Sequence, residues 1–456
     1  MKNTFGVGAA VAVLVAVVLL LRPAPSPQNA AVRPAPATSS STADAPPKAA
    51  ETASAPGAAA PSPVDSRRLL AALAKALRDS DEKAARAALK DIHDLLYPPI
   101  PDEKNAALLY MKAFDIAREK MGGVLMMDLD RQTYSALFSG KELTTDQSAA
   151  LRAWFEKNGP VASEVIGLLR EGAKLPQCRF EIGDPAANAV IRAQGAGQFL
   201  RIAAFFEQQN GKTAEAADLT MAELAMARNI RSTPYFIAQA MGCAMDATAV
   251  QNLQGFLNPG TPGIAAWLDR SDPASVRDAF LRSLLGDVEY TMTQVFTFRD
   301  NPDGIEDEEL RKRVQAPLAL QDLAAYVEGV QDFSRFAGRP YYEIREDLDT
   351  LSRQYGELAP WYATFSQDVA RTIPSMSRWI AKSEAMNCMA KLSLDLARYR
   401  EKNGEYPATL DALLVPSIRD PFTGQPFAYR KEGSGYVLET PGAPDGKTAY
   451  AWRANK

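Results

Sequence analysis

The sequence predicts a mainly α protein: an irregular helical hairpin array or bundle, followed by a small α+β module of one long helix and a β-hairpin. Three observations carry this expectation. Beyond Asp65, apolar residues recur almost everywhere at three- and four-residue spacing, the period of a helix face turned toward a core. Pro-Pro, Asn-Gly and Thr-Pro pairs cut that periodic stretch into pieces of helix length. Near the C-terminus alone, aromatic and branched residues gather in short runs around a glycine turn, as strands do.

The first hairpin is read in SRRLLAALAKALRDS and DEKAARAALKDIHDLL, which align Leu70, Leu73 and Leu77, then Leu89, Ile92 and Leu96. Pro98-Pro99 ends it, and NAALLYMKAFDIAREKM begins the next helix. Between Ala189 and Leu257 three helices follow. GQFLRIAAFFEQQNG stops at Asn210-Gly211, KTAEAADLTMAELAMARNI comes second, and TPYFIAQAMGCAMDATAVQNLQGFL is opened by Thr233-Pro234. Ala214, Ala217 and Ala222 let neighbouring helices approach closely. This order resembles a tetratricopeptide-like hairpin, but the full period does not recur, so an ordinary bundle stands beside the array as an alternative. Further helices are read in DPASVRDAFLRSLLGDVEYTMTQVF, on both sides of Pro317, and from Tyr342 to Tyr355. The acidic segment RDNPDGIEDEE puts Asp300, Asp303 and Asp307 out of register for a calcium loop, and reads as a solvated connection into an acidic helix start.

At the end of the chain, Ala385, Met389, Leu392, Leu396 and Tyr399 form one apolar stripe. Gly404 stands at a helix C-cap and Pro407 prevents continuation. FAYR and YVLET read as strands around KEGSG, with TAYAW as a possible third. Tyr406, Leu410, Leu413, Phe422, Phe427, Tyr429 and Tyr436 are the expected packing residues.

The N-terminus sets the expected compartment. Phe5 to Leu21 is an uncharged run of seventeen residues. As a helix it would be about 26 Å long, near the lower limit for a hydrocarbon core. A cleaved signal peptide is the other reading, but the run is long and no small-x-small pair follows closely. Either way the rest of the chain is exported. We therefore expect a single-pass anchor in the inner membrane over residues 1–22 and a Pro/Ala/Ser-rich disordered tether over 23–64. A helical body over 65–380 and the C-terminal module over 381–456 then stand on the extracytoplasmic side.

Composition narrows the chemistry. Basic and acidic residues number 51 and 55, for a net charge of −4, with no basic stripe, which argues against a nucleic-acid partner. One histidine, His93, and three cysteines leave no zinc-site spacing. His93 reads as a solvated or edge residue, and Cys243 and Cys388 as packing residues.

The stretch ARYREKNGEYPATLDALL, DPFTGQPFAYR and GYVLETPGAPDG resembles the C-terminal part of type II secretion major pseudopilins. That resemblance implies a long helix packed on a small sheet and a late acidic loop able to hold calcium. Asp420 and Asp445 stand where that loop's acidic residues would be. The pseudopilin N-terminal processing site and membrane glutamate are absent here, so the resemblance implies a local fold and not a polymerising pilin. Together with NAALLY at Asn105 to Tyr110, the same ending is similar to a loose group of exported bacterial proteins that brings no known activity.

The expected function is a non-catalytic, membrane-anchored scaffold or adaptor of the bacterial cell envelope. It would bind protein or peptide partners through helical surfaces, with no cofactor beyond the possible calcium. The alternatives are a carboxylate-dependent hydrolase and a structural component of a secretion apparatus. A pocket with facing carboxylates would favour the hydrolase. A groove lined by Tyr, Phe and Arg would favour the adaptor.

Overall fold

A computed structural model describes residues 63–122, 132–133, 136–137, 143–180, 184–255, 263–264, 273–302, 308–316, 318–336, 338–357, 364–413, 418–441 and 450–454. The expected anchor at Phe5 to Leu21 and nearly all of the expected tether lie outside these residues. Among the described residues no helix is long and apolar enough to cross a membrane.

The protein is mainly helical, with a small antiparallel sheet near its C-terminus, as the periodicity predicts. In chain order the helices are α1 (Pro63–Arg78), α2 (Glu82–Leu96), α3 (Ala106–Met121), α4 (Thr145–Lys174), α5 (Asp184–Gln209) and α6 (Thr213–Ser232). There follow α7 (Phe236–Asn252), α8 (Pro273–Asp300), α9 (Glu308–Gln315), α10 (Ala319–Ser334), α11 (Tyr341–Gly356) and α12 (Thr364–Asn403). Local chemistry fixes their ends. The Asp81 carboxylate accepts from the Ala84 amide to cap α2, and Thr144 and Gln147 form a reciprocal capping box on α4. Gly122, Gly211 and Gly404 take left-handed backbone, with φ of +76°, +76° and +83°, just past the ends of α3, α5 and α12.

Two apolar cores share two helices, α6 and α7, with Ala217 and Leu224 of α6 in the larger one. The smaller gathers α3 to α6 around Tyr110, Trp154, Phe199 and Met226. The larger joins α1 and α2 to α8, α10, α11, α12 and the sheet. On α7, Phe236, Ala240, Cys243, Ala247 and Val250 face the larger core, while Ile237, Ala238, Met241 and Met245 face the smaller. A helix apolar around its whole circumference is buried on all sides, which explains why α7 carries almost no charge.

The chain does not stack hairpin on hairpin throughout. The first pair packs on helices distant in sequence, α1 along α10 and α2 along α8. A methyl group on Gly286 would fall 1.7 Å from the Pro234 carbonyl oxygen, so α8 lies against the entry to α7 only because that residue is glycine.

The NAALLY segment is structural. The Asn105 side-chain oxygen accepts from Ala107 N at 3.2 Å and Arg179 N at 2.8 Å, and its amide donates to Arg179 O at 3.0 Å. One side chain thus caps α3 and holds the segment after α4 beside it. The Tyr110 hydroxyl accepts from Asn229 at 2.9 Å, joining α3 to α6.

The C-terminal sheet is a meander of β1 (Ala428–Glu432), β2 (Gly435–Glu439) and β3 (Ala451–Ala454), in that order. Tyr429 pairs with Leu438, and Leu438 with Trp452. Gly433, at φ +59°, begins the tight turn between β1 and β2. The helix that leads into this module starts at Thr364, so position 381 falls inside α12. Its core is continuous with that of α1.

Candidate functional site

Four helices line a partly open recess with a cavity volume of about 20 Å³. The start of α8 supplies Arg277 and Phe280, and the end of α10 supplies Phe333. The turn after α10 brings Phe336, Gly338 and Arg339 to the rim, with Gly338 at φ +87°. From α11 come Tyr341, Ile344 and Leu348, spaced by three and four residues and so on one face. The α12 wall is Ile373, Ser377, Ile380, Ala381 and Glu384, again one helical stripe.

An ion pair crosses this recess. Arg277 Nη1 donates to both carboxylate oxygens of Glu384 at 3.2 Å. The Glu384 side chain is only 3% exposed and that of Arg277 19%, so the pair is largely withdrawn from water. Arg277 Nε is buried and has no hydrogen-bond partner. At the rim, Arg339 pairs with Glu343 at 3.3 Å, an exposed contact of little energetic weight. Ser377 donates to the Ile373 carbonyl at 3.0 Å. Desolvation and Glu343 hold the neighbouring Tyr342 phenol above its ordinary pKa, while Arg419 and Arg277 pull it down, so both guanidinium groups act on the same corner. Among the described residues lining the recess, Glu384 is the one carboxyl, and Arg277 already neutralises it.

Behind the recess runs a buried polar network. Asp246 on α7 accepts from Ser383 and Asn387 on α12, each at 2.6 Å, and lies 3.4 Å from Arg231 on α6. Arg201 on α5 contacts Glu223 on α6 at 2.7 Å and also donates to Thr248 on α7. Burial raises the Glu223 pKa against the pull of Arg201. These contacts hold four helices in register, the best-attested use of buried charge.

Other reactive groups lie apart. His93 Nδ1 is 3.1 Å from Glu289 Oε1, with the imidazole 49% exposed and the carboxylate 6%. His93 is therefore an edge histidine, as expected, and it is tied to a buried acid on α8. Cys178, Cys243 and Cys388 are free. Cys178 and Cys243 are buried, but Cys388, expected to be a buried packing residue, is half-buried. Burial pushes the Cys243 and Cys388 thiols up to about 12, so neither supplies thiolate near neutral pH.

Asp420 is fully buried in the DPFTGQPF loop. Its Oδ1 accepts from Phe422 N at 3.2 Å and its Oδ2 from Thr423 Oγ1 at 2.7 Å. Desolvation raises its pKa, with those donors opposing. Asp445, its expected partner in a calcium site, lies outside the described residues. A calcium ligand should be an ionised carboxylate with oxygens directed at the metal. Both Asp420 oxygens accept hydrogen bonds within its own turn.

No family model, curated protein or solved structure matches this chain. The site therefore rests on its own geometry. Arg277 and Glu384 carry no local sequence signal, because they are separated by 107 positions and meet only when α8 packs on α12.

Proposed function

We propose that this protein is a non-catalytic adaptor of the cell envelope, held at the membrane through Phe5 to Leu21. In this reading its helical body receives a protein or peptide segment at the recess between α8, α10, α11 and α12. One observation carries the proposal. The recess walls are Phe280, Phe333, Phe336 and Tyr341 with arginines at floor and rim, and their single carboxyl is spent on Arg277. Hydrolysis by carboxylates alone needs two carboxyl groups across a cleft, one able to hold and release a proton. Binding an apolar side chain needs only desolvated walls of suitable shape and a few polar groups to orient it.

The test uses the full-length tagged chain, solubilised from its own membranes as wild type and as Phe336→Glu. A partner that co-purifies in fixed proportion with the wild type, and is lost from the variant at unchanged melting temperature, supports the adaptor. Identical sets of proteins on both chains would refute recognition at this recess.

A further inference from the structure

We infer that Asn210 is a self-modifying site: its side chain cyclises onto the Gly211 nitrogen and then opens with water to aspartate and isoaspartate. The chain holds three Asn-Gly pairs, beginning at Asn158, Asn210 and Asn403. Glycine is the most permissive follower for this ring closure, because without a Cβ its backbone nitrogen can approach the side-chain amide freely. By sequence the three pairs are alike, and the fold separates them.

Asn158 lies inside α4, and Asn403 is the last residue of α12. Their side-chain amides donate back to the Trp154 and Tyr399 carbonyls, at 2.9 and 2.8 Å. Each tie holds the amide carbon against its own helix. Asn210 stands just past α5, in the exposed turn to α6. Among the described residues its side chain makes no hydrogen bond. The backbone does not account for the difference. Gly211 N donates to Gln208 O at 3.0 Å, much as Gly404 N donates to Arg400 O at 2.8 Å.

In the ring closure the Gly211 nitrogen bonds to Asn210 Cγ, and the side-chain nitrogen leaves as ammonia, taking the Gly211 amide proton. Water then splits the new Cγ–N bond to give aspartate, or the backbone C–N bond to give isoaspartate. No other reactant is needed. Either product places a carboxylate at the C-terminal end of α5, where the helix dipole disfavours negative charge. Glu207 already stands in that last turn, paired with Lys212 at 3.0 Å.

The test is to age the full-length chain, folded in detergent, in warm and mildly alkaline buffer and to follow conversion by mass spectrometry. Tryptic cleavage puts the three asparagines on separate peptides. Asn210 should convert about five-fold or more faster than Asn158 or Asn403, the worth of one hydrogen bond that those two must first break. In denaturant, where the helices are gone, the three rates should converge. Equal rates in the folded chain, or Asn210 trailing either of the others, would overturn the inference. A lead that persists unchanged in denaturant would also overturn it, because flanking residues and not the fold would then set the rate. So would conversion of all three in denaturant with none at Asn210 in the folded chain.

Discussion

Arg277 spans both oxygens of Glu384 at 3.2 Å, bridging the first turns of α8 to the middle of α12. Removing one member of such a pair strands the other charge in a poorly solvated place. Arg277→Ala or Glu384→Ala should each cost about 3–5 kcal/mol. Replacing both with residues of similar volume, Arg277→Met and Glu384→Met, should recover most of the loss. Denaturant titration of the two singles and the double measures this coupling. Additive losses would mean that the two side chains do not act as a pair.

The larger core runs from α1 to β3, so distant ends of the chain should melt together. Leu73 is fully buried, and Trp452 is 1% exposed. Leu73→Ala should cost about 2–5 kcal/mol and Trp452→Ala about 3–5 kcal/mol. In calorimetry each should lower the same transition. A variant that lowers one transition and leaves a second in place would divide the core.

Tyr429 is half-buried, and its hydroxyl donates to the Pro407 carbonyl at 2.7 Å, fastening β1 to the turn beyond α12. Tyr429→Phe deletes that bond alone and should cost about 1 kcal/mol in urea unfolding. No change would show that water replaces the bond without loss.

The sequence made most helices legible because periodicity and punctuation are local. Gly211 and Gly404 mark real ends, the helices on either side of position 317 stop at Gln315 and start at Ala319, and Tyr406, Phe422, Phe427 and Tyr436 are buried as expected. The Thr144–Gln147 capping box that opens α4 is an equally local signal. What was not legible is non-local. Nothing in SRRLLAALAKAL says that α1 lies along α10, and nothing near Arg277 announces Glu384. The turn that Asp420 closes with Phe422 and Thr423 is likewise a matter of the folded loop rather than of its acidic composition.

Asp420 supplies a pH test. Its carboxyl pKa is raised in the folded state, chiefly by burial, so the folded protein holds that proton more tightly than the unfolded chain. The contribution is fully present below the unfolded pKa, about 3.9, and is lost as pH rises through the folded value. Asp420→Asn removes this titration. In paired melts from about pH 3 to pH 7, wild type should therefore gain stability relative to the variant as pH falls. The reverse trend would mean that ionised Asp420 is the stabilising form. Added calcium or chelator should leave the wild-type midpoint unchanged, and a midpoint raised by calcium would restore the metal reading.

The most direct measurement of partner recognition is site-specific photo-crosslinking in intact membranes. A benzophenone side chain replaces Phe336 at the recess rim in one full-length chain, and Lys75 on the exposed face of α1 in another. Recognition at the recess should give a discrete adduct of fixed mass from position 336 and none from position 75. No adduct from position 336, or the same diffuse products from both positions, would contradict it.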